Sequence, residues 1–263
     1  MIRISVILFF IAVAIFLFTA FPGLAFRENI VAAWLMDEGA GKKVGDFTGN
    51  HDDGSITGNV EWVDGKFGKA LRFDGATTYV QIPFNANFQV LNTGSFTFAA
   101  WINTEVLASE RGNYLAGAQQ MDANGLGRTW MGLYDVTDEA YCYIGNGRAL
   151  GTPAVVGEWY HFAVVITEEG DIDTIQIYSN GKPDLAPMSF GVETCEGDYL
   201  LGAHKALDAA NFWEGLIDDV VLINRALTEA ELDQLMDQGV YGVLSVDSKD
   251  KLTTAWGYLK SYR

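Results

Sequence analysis

Short apolar runs separated by glycine-rich and acidic turns fill the chain from about residue 30 to residue 225. The segment 95–102 is rich in aromatic and β-branched residues, which favour strands. Asn180-Gly181 is typical of a hairpin turn, because both residues tolerate a positive φ. Alternating helices, which an α/β fold needs, are absent from the pattern. The runs therefore predict about a dozen strands of a sandwich or jelly roll, among them 31–36, 70–73, 79–82, 95–102, 130–134, 140–144, 159–166, 174–178, 199–202 and 216–223.

One helix is predicted near the carboxyl end of this region. Thr228 and Glu231 have the spacing of a capping box, in which each residue satisfies a backbone amide of the other. Leu232 and Leu235 follow at helical spacing, and Gly239 is suited to end the helix. The spacing predicts a helix over 229–238. The remaining residues, 241–263, show little periodicity and are predicted to form an appended tail.

The first 25 residues have the pattern of a signal peptide. Arg3 precedes an apolar segment over 4–21, and Pro22-Gly23 breaks the pattern shortly before the small residue Ala25. An uncleaved membrane anchor is the alternative, because the apolar segment approaches the roughly 20 residues that span a bilayer. The sequence therefore predicts a secreted chain, with membrane contact only through this segment if it is not cleaved.

Charge and cysteine content narrow the classes of protein further. With 17 basic and 34 acidic residues, the net charge is −17, which disfavours a nucleic-acid partner. The hydrophobic fraction of 49% disfavours disorder. Two cysteines, Cys142 and Cys195, in an exported chain predict a disulfide. Two buried free thiols are the alternative, because the sequence does not fix the distance between them.

A series of motifs resembles the LamG-like jelly-roll domain of the concanavalin A-like lectin/glucanase superfamily. The resemblance covers about residues 30–240 and implies an all-β fold, a two-sheet antiparallel jelly-roll sandwich, here with one short C-terminal helix. We assign residues 26–240 to this domain. In that family the domains mostly bind glycans or proteins and often carry a structural calcium ion. The motifs are Trp34-x-x-Asp37-Glu38-Gly39, Asp46-Phe47-Thr48-Gly49-Asn50, Gly65-Lys66-Phe67-Gly68, Phe73-Asp74-Gly75, Trp159-Tyr160-His161, Asn180-Gly181-Lys182, Trp213-x-Gly215-x-Ile217-Asp218-Asp219 and Asn224-Arg225-Ala226-Leu227-Thr228.

Calcium binding is a hypothesis about one acidic turn. Asp46 and Asn50 offer a carboxylate and an amide carbonyl, which are ligands that calcium accepts. If the late strand lies beside the first, as the resemblance implies, Asp218 and Glu38 would complete the site. The alternative is that Asp46 and Asn50 bond only to their own turn, as such residues often do.

Candidate ligand-contacting residues border a glycine-rich loop at 122–127. Aromatic rings can cover the C–H face of a sugar, and Arg128, Trp130, Tyr134 and Tyr141 are the candidates if one sheet presents an open face. Packing in the core or on a solvated face is the alternative for each. Trp34, Trp62, Trp101 and Trp159 match core positions of the family.

No catalytic set is apparent in the sequence. Two acids of a retaining glycosidase would have to lie about 5 Å apart on one face, and the nearest pattern, Glu169-Gly170-Asp171-Ile172-Asp173, is typical of a hairpin tip. The sequence therefore predicts a secreted, non-catalytic module for a glycan or an extracellular protein. A structural or adhesion protein of the cell surface, or a divergent glycan-active hydrolase or lyase, are the alternatives.

Overall fold

The computed structural model describes residues 26–50, 52–91, 94–111, 115–120, 129–134, 136–144, 147–169, 172–184, 188–190, 197–204, 207 and 211–245. Within these residues, two antiparallel sheets lie face to face, as the sequence predicts for a jelly roll. A helix covers the outer face of one sheet. No helix in the described ranges has the length and apolar content needed to cross a membrane.

The first sheet has nine strands and contains the longest ones. Its main order is β14-β13-β12-β7-β17-β5-β4, with β1 also paired to β17 and β15 to β13. The bounds are β1 Ile30–Trp34, β4 Glu61–Asp64, β5 Lys69–Asp74, β7 Phe96–Thr104, β12 Tyr160–Glu169, β13 Ile172–Ser179, β14 Lys182–Pro183, β15 Met188–Phe190 and β17 Glu214–Ile223.

The second sheet has eight strands in the order β11-β10-β9-β8-β16-β6-β3-β2. The bounds are β2 Lys43–Val44, β3 Gly54–Thr57, β6 Tyr79–Ile82, β8 Leu115–Gln120, β9 Thr129–Leu133, β10 Glu139–Ile144, β11 Gly147–Pro153 and β16 Tyr199–Leu201. A short helix, α1 (Ala108–Arg111), and two 3₁₀ turns, Arg27–Asn29 and Ala86–Leu91, complete the described elements before the carboxyl-terminal helix.

The main core lies between the two sheets and is built from alternate residues of their strands. Trp34 is 1% exposed and stacks on Phe88, with ring centroids 6.1 Å apart. Its indole Nε1 donates to the carbonyl of Asp52 at 2.7 Å. Burial of apolar surface of this kind is the main force holding the two sheets together.

The second core lies between the nine-stranded sheet and helix α2 (Glu229–Ser245). Leu232, Leu235, Val240 and Val243 of the helix are buried against outward residues of β1, β7, β12 and β17. The predicted capping box is confirmed: the Thr228 amide donates to Glu231 Oε2 at 2.9 Å, and the Glu231 amide donates to Thr228 Oγ1 at 3.4 Å.

The helical segment ends later than the sequence predicts. Gly239 does break the helix, with φ 66° and ψ 168°, but helical structure resumes and runs to Ser245. The reason is a contact that is distant in sequence: Asp219 Oδ2 accepts a hydrogen bond from the Val240 amide at 2.8 Å, which caps the second helical piece.

The strand predictions agree with the structure wherever the pattern is strong. The two predicted strand pairs are both present: β10 pairs antiparallel with β9, and β13 pairs antiparallel with β12. Asn180 and Gly181 have φ of 49° and 76°, as expected for a hairpin turn with two positive φ angles. Of the predicted core tryptophans, Trp34 and Trp101 are buried, whereas Trp62 and Trp159 are half-buried.

Candidate ligand-binding site

The outward face of the eight-stranded sheet carries the residues predicted to contact a ligand. On β9 and β10, Met131, Leu133 and Cys142 belong to the core between the sheets. Since successive strand residues point to opposite faces, the intervening positions fall on the outward face. There the register pairs Gln119 with Trp130, Trp130 with Tyr143, and Tyr143 with Arg148. We call these four positions on β8, β9, β10 and β11 the outward row.

Two of the predicted aromatic residues contact each other beside the outward row. Tyr134 and Tyr141 form a T-shaped pair with ring centroids 6.2 Å apart. Tyr141 is only 2% exposed, whereas Tyr134 and Tyr143 are half-buried. Tyr141 is therefore placed to support Tyr134, and Tyr134 and Tyr143 are the rings that a ligand can reach. Arg128 lies outside the described residues, and for Gln119, Trp130 and Arg148 the description is limited to their backbone positions.

The other half of the same face is covered. Leu200 of β16 is buried by Ala203 and Phe212, and Tyr79 of β6 packs against this cluster. Gln81 donates to Asp198 at 2.6 Å, which ties β6 to the segment before β16. This cluster lies over β6 and β16, whereas the outward row lies on the other half of the face, over β8 to β11.

Among the four predicted calcium ligands, Asp46 and Asn50 are brought together by their own turn. Both oxygens of Asp46 accept hydrogen bonds: Oδ1 from the amides of Ala33 and Thr48 at 3.0 Å each, and Oδ2 from the Thr48 hydroxyl at 2.6 Å and the Asn50 amide at 3.1 Å. Glu38 lies at the start of the same loop, where its Oε1 accepts from the Gly45 amide at 2.7 Å. This is the local bonding that the sequence left open as the alternative to metal binding.

Asp218 is held elsewhere, at an irregularity in β17. Its Oδ2 accepts from the amides of Lys66 and Phe67 at 2.8 and 3.0 Å. Searching the described residues finds no group of three or more His, Cys, Asp and Glu side chains that could hold a metal ion. As placed, the four predicted ligands do not form a coordination set, and calcium stays a prediction of the sequence.

Two neighbouring acids, Asp218 and Asp219, are both buried on the outward side of the nine-stranded sheet. The β17–β7 register shifts between Asp218 and Val221, and Asp219 has a φ of 47°. Burial raises the pKa of Asp218 to about 8, against the lowering effect of its amide donors. Burial also raises the pKa of Asp219 to about 7, and the carboxylate of Asp37 adds to this shift. Both acids anchor covering segments.

His161 is also a structural residue of this sheet. It pairs with Trp101 across β12 and β7, and the two rings meet edge to face at 5.1 Å. Lys66 places its ammonium group 4.1 Å from the centre of the Trp101 ring. Burial, together with the charge of Lys66, lowers the pKa of His161 to about 3. A histidine held neutral and enclosed in this way is suited to packing.

The predicted disulfide and the acidic hairpin are only partly described. Cys142 is fully buried, and burial raises the pKa of its thiol; Cys195 lies outside the described residues, so the bridge stays a prediction. Glu169 pairs with Ile172 as the last pair of the β12–β13 hairpin, which confirms that this acidic stretch lies at a hairpin tip. Asp171 lies outside the described residues.

One surface feature was missed by the sequence reasoning. Phe47 and Tyr241 are 47% and 57% exposed, and their rings contact each other with centroids 5.7 Å apart. They come from the turn after Asp46 and from the second piece of α2. The available signal was an aromatic residue, Phe47, inside a polar turn, but nothing in the sequence pairs it with Tyr241.

The sheet order defines a jelly-roll sandwich, and comparison with known sequences gives its family. A profile described as the concanavalin A-like lectin/glucanases superfamily matches residues 74–233. The chain belongs to this superfamily, as the motifs predict. A comparison with curated protein sequences gave no match.

Solved structures confirm the fold at low sequence identity. Domain 4 of AbnA, a GH43 extracellular arabinanase from Geobacillus stearothermophilus, in complex with arabinotriose, is similar with a TM-score of 0.60 and 21% identity, over 79% of this chain and 98% of that chain. The receptor binding domain of botulinum neurotoxin C/D mosaic serotype is similar with a TM-score of 0.63 and 9% identity, over 81% of this chain.

A third structure, Trypanosoma rangeli sialidase in complex with the inhibitor DANA, is similar with a TM-score of 0.60 and 17% identity over 79% of this chain. The chain spans 52% of the toxin domain and 32% of the sialidase chain. The fold is thus shared by binding domains and by chains that contain glycosidases.

Proposed function

We propose that this chain is a secreted, non-catalytic binding module that holds a glycan on the outward face of β8 to β11 in the eight-stranded sheet. The observation that carries the proposal is the outward row, in which Gln119, Trp130, Tyr143 and Arg148 are successive cross-strand partners. Tyr134, supported by Tyr141, lies beside it.

The chemistry of these residues suits a sugar. Aromatic rings present an apolar face to the C–H groups of a pyranose or furanose, while glutamine and arginine supply hydrogen bonds to hydroxyl groups. Four hydrogen-bonded strands hold these positions in a fixed register, so little conformational entropy is lost on binding. The complex of AbnA domain 4 with arabinotriose supports a carbohydrate ligand for a chain of this fold.

The absence of catalysis is part of the same proposal. In the described part of the chain, the buried acids Asp218 and Asp219 each accept backbone amides, and so does Asp46. Carboxylates held in this way are occupied as structural acceptors. Hydrolysis of a glycosidic bond needs two carboxyl groups across an open cleft. A divergent hydrolase or lyase remains the enzymatic alternative.

The proposal that the chain is secreted depends on the signal-peptide pattern of residues 1–25. The charge of the remaining residues bears on solubility and on the kind of ligand. Without those residues the chain has 16 basic and 34 acidic residues, a net charge of −18. Such a charge favours solubility and disfavours polyanionic ligands. We therefore expect a neutral glycan.

Binding to a glycan array, with arabinan and other neutral oligosaccharides beside sialylated and uronic-acid glycans, tests the proposal. Tyr143→Ala should weaken binding about tenfold or more, which corresponds to a loss of at least about 1.4 kcal/mol. Tyr241→Ala, an exposed tyrosine on the other side of the sandwich, is the matched control and should leave affinity unchanged.

Thermal melting of both variants separates lost contact from lost folding. Absence of binding to every glycan would overturn the proposal. Capture of an extracellular protein instead would support the adhesion alternative, which the exposed Phe47–Tyr241 pair favours. Release of reducing ends or unsaturated products from a bound glycan would establish an enzyme.

A structural calcium ion can be tested separately. A ligand that binds only the folded state raises the melting temperature. If calcium raises the melting temperature, if the chelator removes this increase, and if Asp46→Asn shows no increase, a structural calcium ion is supported. An identical melting temperature with and without chelator would count against it.

A further inference from the structure

A groove of about 660 Å³ opens where the described chain begins and ends. Ile30, Phe47 and Leu244 line it with apolar groups, and Arg27 and Glu28 are charged residues on its wall. Its walls come from the start of β1, the turn after Asp46 and the last turn of α2. The residues that line the groove include none from β8 to β11, so it is not part of the proposed glycan site.

Phe47, which lines the groove, contacts Tyr241, so that two exposed aromatic rings cluster beside the groove. Phe47 and Tyr241 are 47% and 57% exposed and lean against each other. Large exposed apolar side chains that cluster, rather than occur singly, mark surfaces that another segment covers. The turn that carries Phe47 is rigid, because Asp46 accepts hydrogen bonds from both Thr48 and Asn50 and Asn50 Nδ2 donates to the Val31 carbonyl at 2.8 Å.

The chain itself supplies a segment whose chemistry fits the groove. Residues 246–263 follow directly after Leu244 and Ser245. They contain Leu252, Trp256 and Leu259, and they carry four basic and two acidic residues. The part of the chain between them and the leader, 26–245, has 12 basic and 32 acidic residues, so the two parts attract each other.

We propose that residues 246–263 dock in this groove, with Leu252, Trp256 and Leu259 as the apolar anchors and the Phe47–Tyr241 pair as their main contact. An extended chain advances about 3.3–3.6 Å per residue, so Trp256 can reach any part of the groove from Ser245. Because the segment is covalently attached, its effective concentration at the groove is about millimolar, and modest apolar contact is enough to keep it bound.

Hydrogen–deuterium exchange of the full chain, read by mass spectrometry over 246–263, tests the proposal. The expected result is exchange about tenfold or more slower than in a synthetic peptide of the same sequence. The double variant Phe47→Ala/Tyr241→Ala should abolish the protection. Val136→Ala is the matched control, because Val136 is an exposed apolar residue, 68% exposed, that neither lines the groove nor contacts the Phe47–Tyr241 pair.

Exchange in β7 of the same samples shows whether each variant is folded. Unchanged exchange there, with protection of 246–263 lost only in the double variant, supports docking. Exchange of 246–263 at the rate of the free peptide in the unmodified chain overturns it. Protection that rises with protein concentration, or that needs added lipid vesicles, also overturns it, because a second copy or a membrane would then be the occupant.

Discussion

The carboxylate of Asp219 accepts a hydrogen bond from the backbone amide of Val240 at 2.8 Å, although the two residues lie in different layers of the fold. A positive φ of 47° at Asp219 accompanies the register shift in β17, and its side chain reaches the covering helix. Gly239 has its own positive φ, and a Cβ there would lie 2.7 Å from Asp219 Oδ2. The irregularity of β17 at Asp219 and the break of α2 at Gly239 therefore together allow the hydrogen bond between Asp219 and Val240.

Asp219→Ala should destabilise the chain by about 1–2 kcal/mol, because it removes the cap of the second helical piece and leaves the Val240 amide without its acceptor. Asp219→Asn keeps an acceptor and tolerates positive φ, so it should lose less. Asp237→Ala, an exposed acid on the same helix, is the control. Urea denaturation measures the change, and equal effects of Asp219→Ala and Asp237→Ala would contradict the capping role.

The first turn of α2 is held by a second carboxylate. Arg225 donates to Glu231 through two nitrogens, at 2.6 and 3.0 Å, and Thr228 completes the capping box. The hydrogen bond from Arg225, against a smaller effect of burial, lowers the pKa of Glu231 to about 2. Its stabilising contribution is therefore complete above about pH 4.5 and is lost as the pH falls towards 2.

Glu231→Gln should reduce the free energy of unfolding by about 1 kcal/mol at pH 7, the modest size expected for a partly exposed pair. The difference from the unmodified chain should shrink below pH 4. Glu229→Gln is the control, because Glu229 is exposed in the same turn. Denaturant titrations at pH 7, 4 and 3 give the comparison, and a difference that stays constant across this range would rule out the ion pair as its source.

His161 should make the fold sensitive to mild acid. Its pKa is about 3 in the folded chain, against 6.5 for an exposed histidine. The unfolded chain therefore takes up a proton at this residue between pH 6.5 and 3 while the folded chain does not. Stability from this residue is complete above pH 6.5 and falls as the pH decreases, by up to about 1.4 kcal/mol per pH unit.

His161→Phe should remove this part of the pH dependence while retaining an aromatic ring beside Trp101. His204→Gln, at a half-buried position, is the control and should retain it. Melting temperatures from pH 8 to pH 4 report the slopes. Parallel curves for His161→Phe and the unmodified chain would refute the assignment.

Trp34 joins the first strand to the segment between β2 and β3. Its Nε1 donates to the Asp52 carbonyl, while the Asp52 carboxylate accepts from Asn85 and Asn87. Trp34→Phe should cost about 1–3 kcal/mol, because a buried acceptor loses its donor. Trp62→Phe should cost less, since Trp62 is half-buried and its bond to Gly41 is longer, at 3.3 Å. If chemical denaturation shows that Trp34→Phe and Trp62→Phe lose the same free energy of unfolding, this explanation is wrong.

Features that depend on local pattern could be predicted from the sequence. Aromatic and β-branched residues located β7, the apolar run beside the Asp74-Gly75 turn located β6, and the Thr228–Glu231 spacing located the start of α2. Features that depend on pairing between distant segments could not. The strands β2 and β14 have only two residues each, which is too short for a recognisable sequence pattern. The sequence around Asp46 is compatible both with a metal ligand and with an acceptor of hydrogen bonds from its own turn. Nothing local shows that Asp219 caps Val240 or that Phe47 meets Tyr241.

Arg27 and Leu244 line one groove, so the polypeptide enters and leaves the sandwich at a single corner. A domain whose two ends lie close together can be inserted into a surface loop of another protein without distorting the backbone of that loop or of the domain. A short linker from 244 to 27, with new ends opened at the exposed Gly39–Gly41 turn, should likewise give a circular permutant that folds. The adjoining ends thus suit this jelly-roll domain to insertion into another protein.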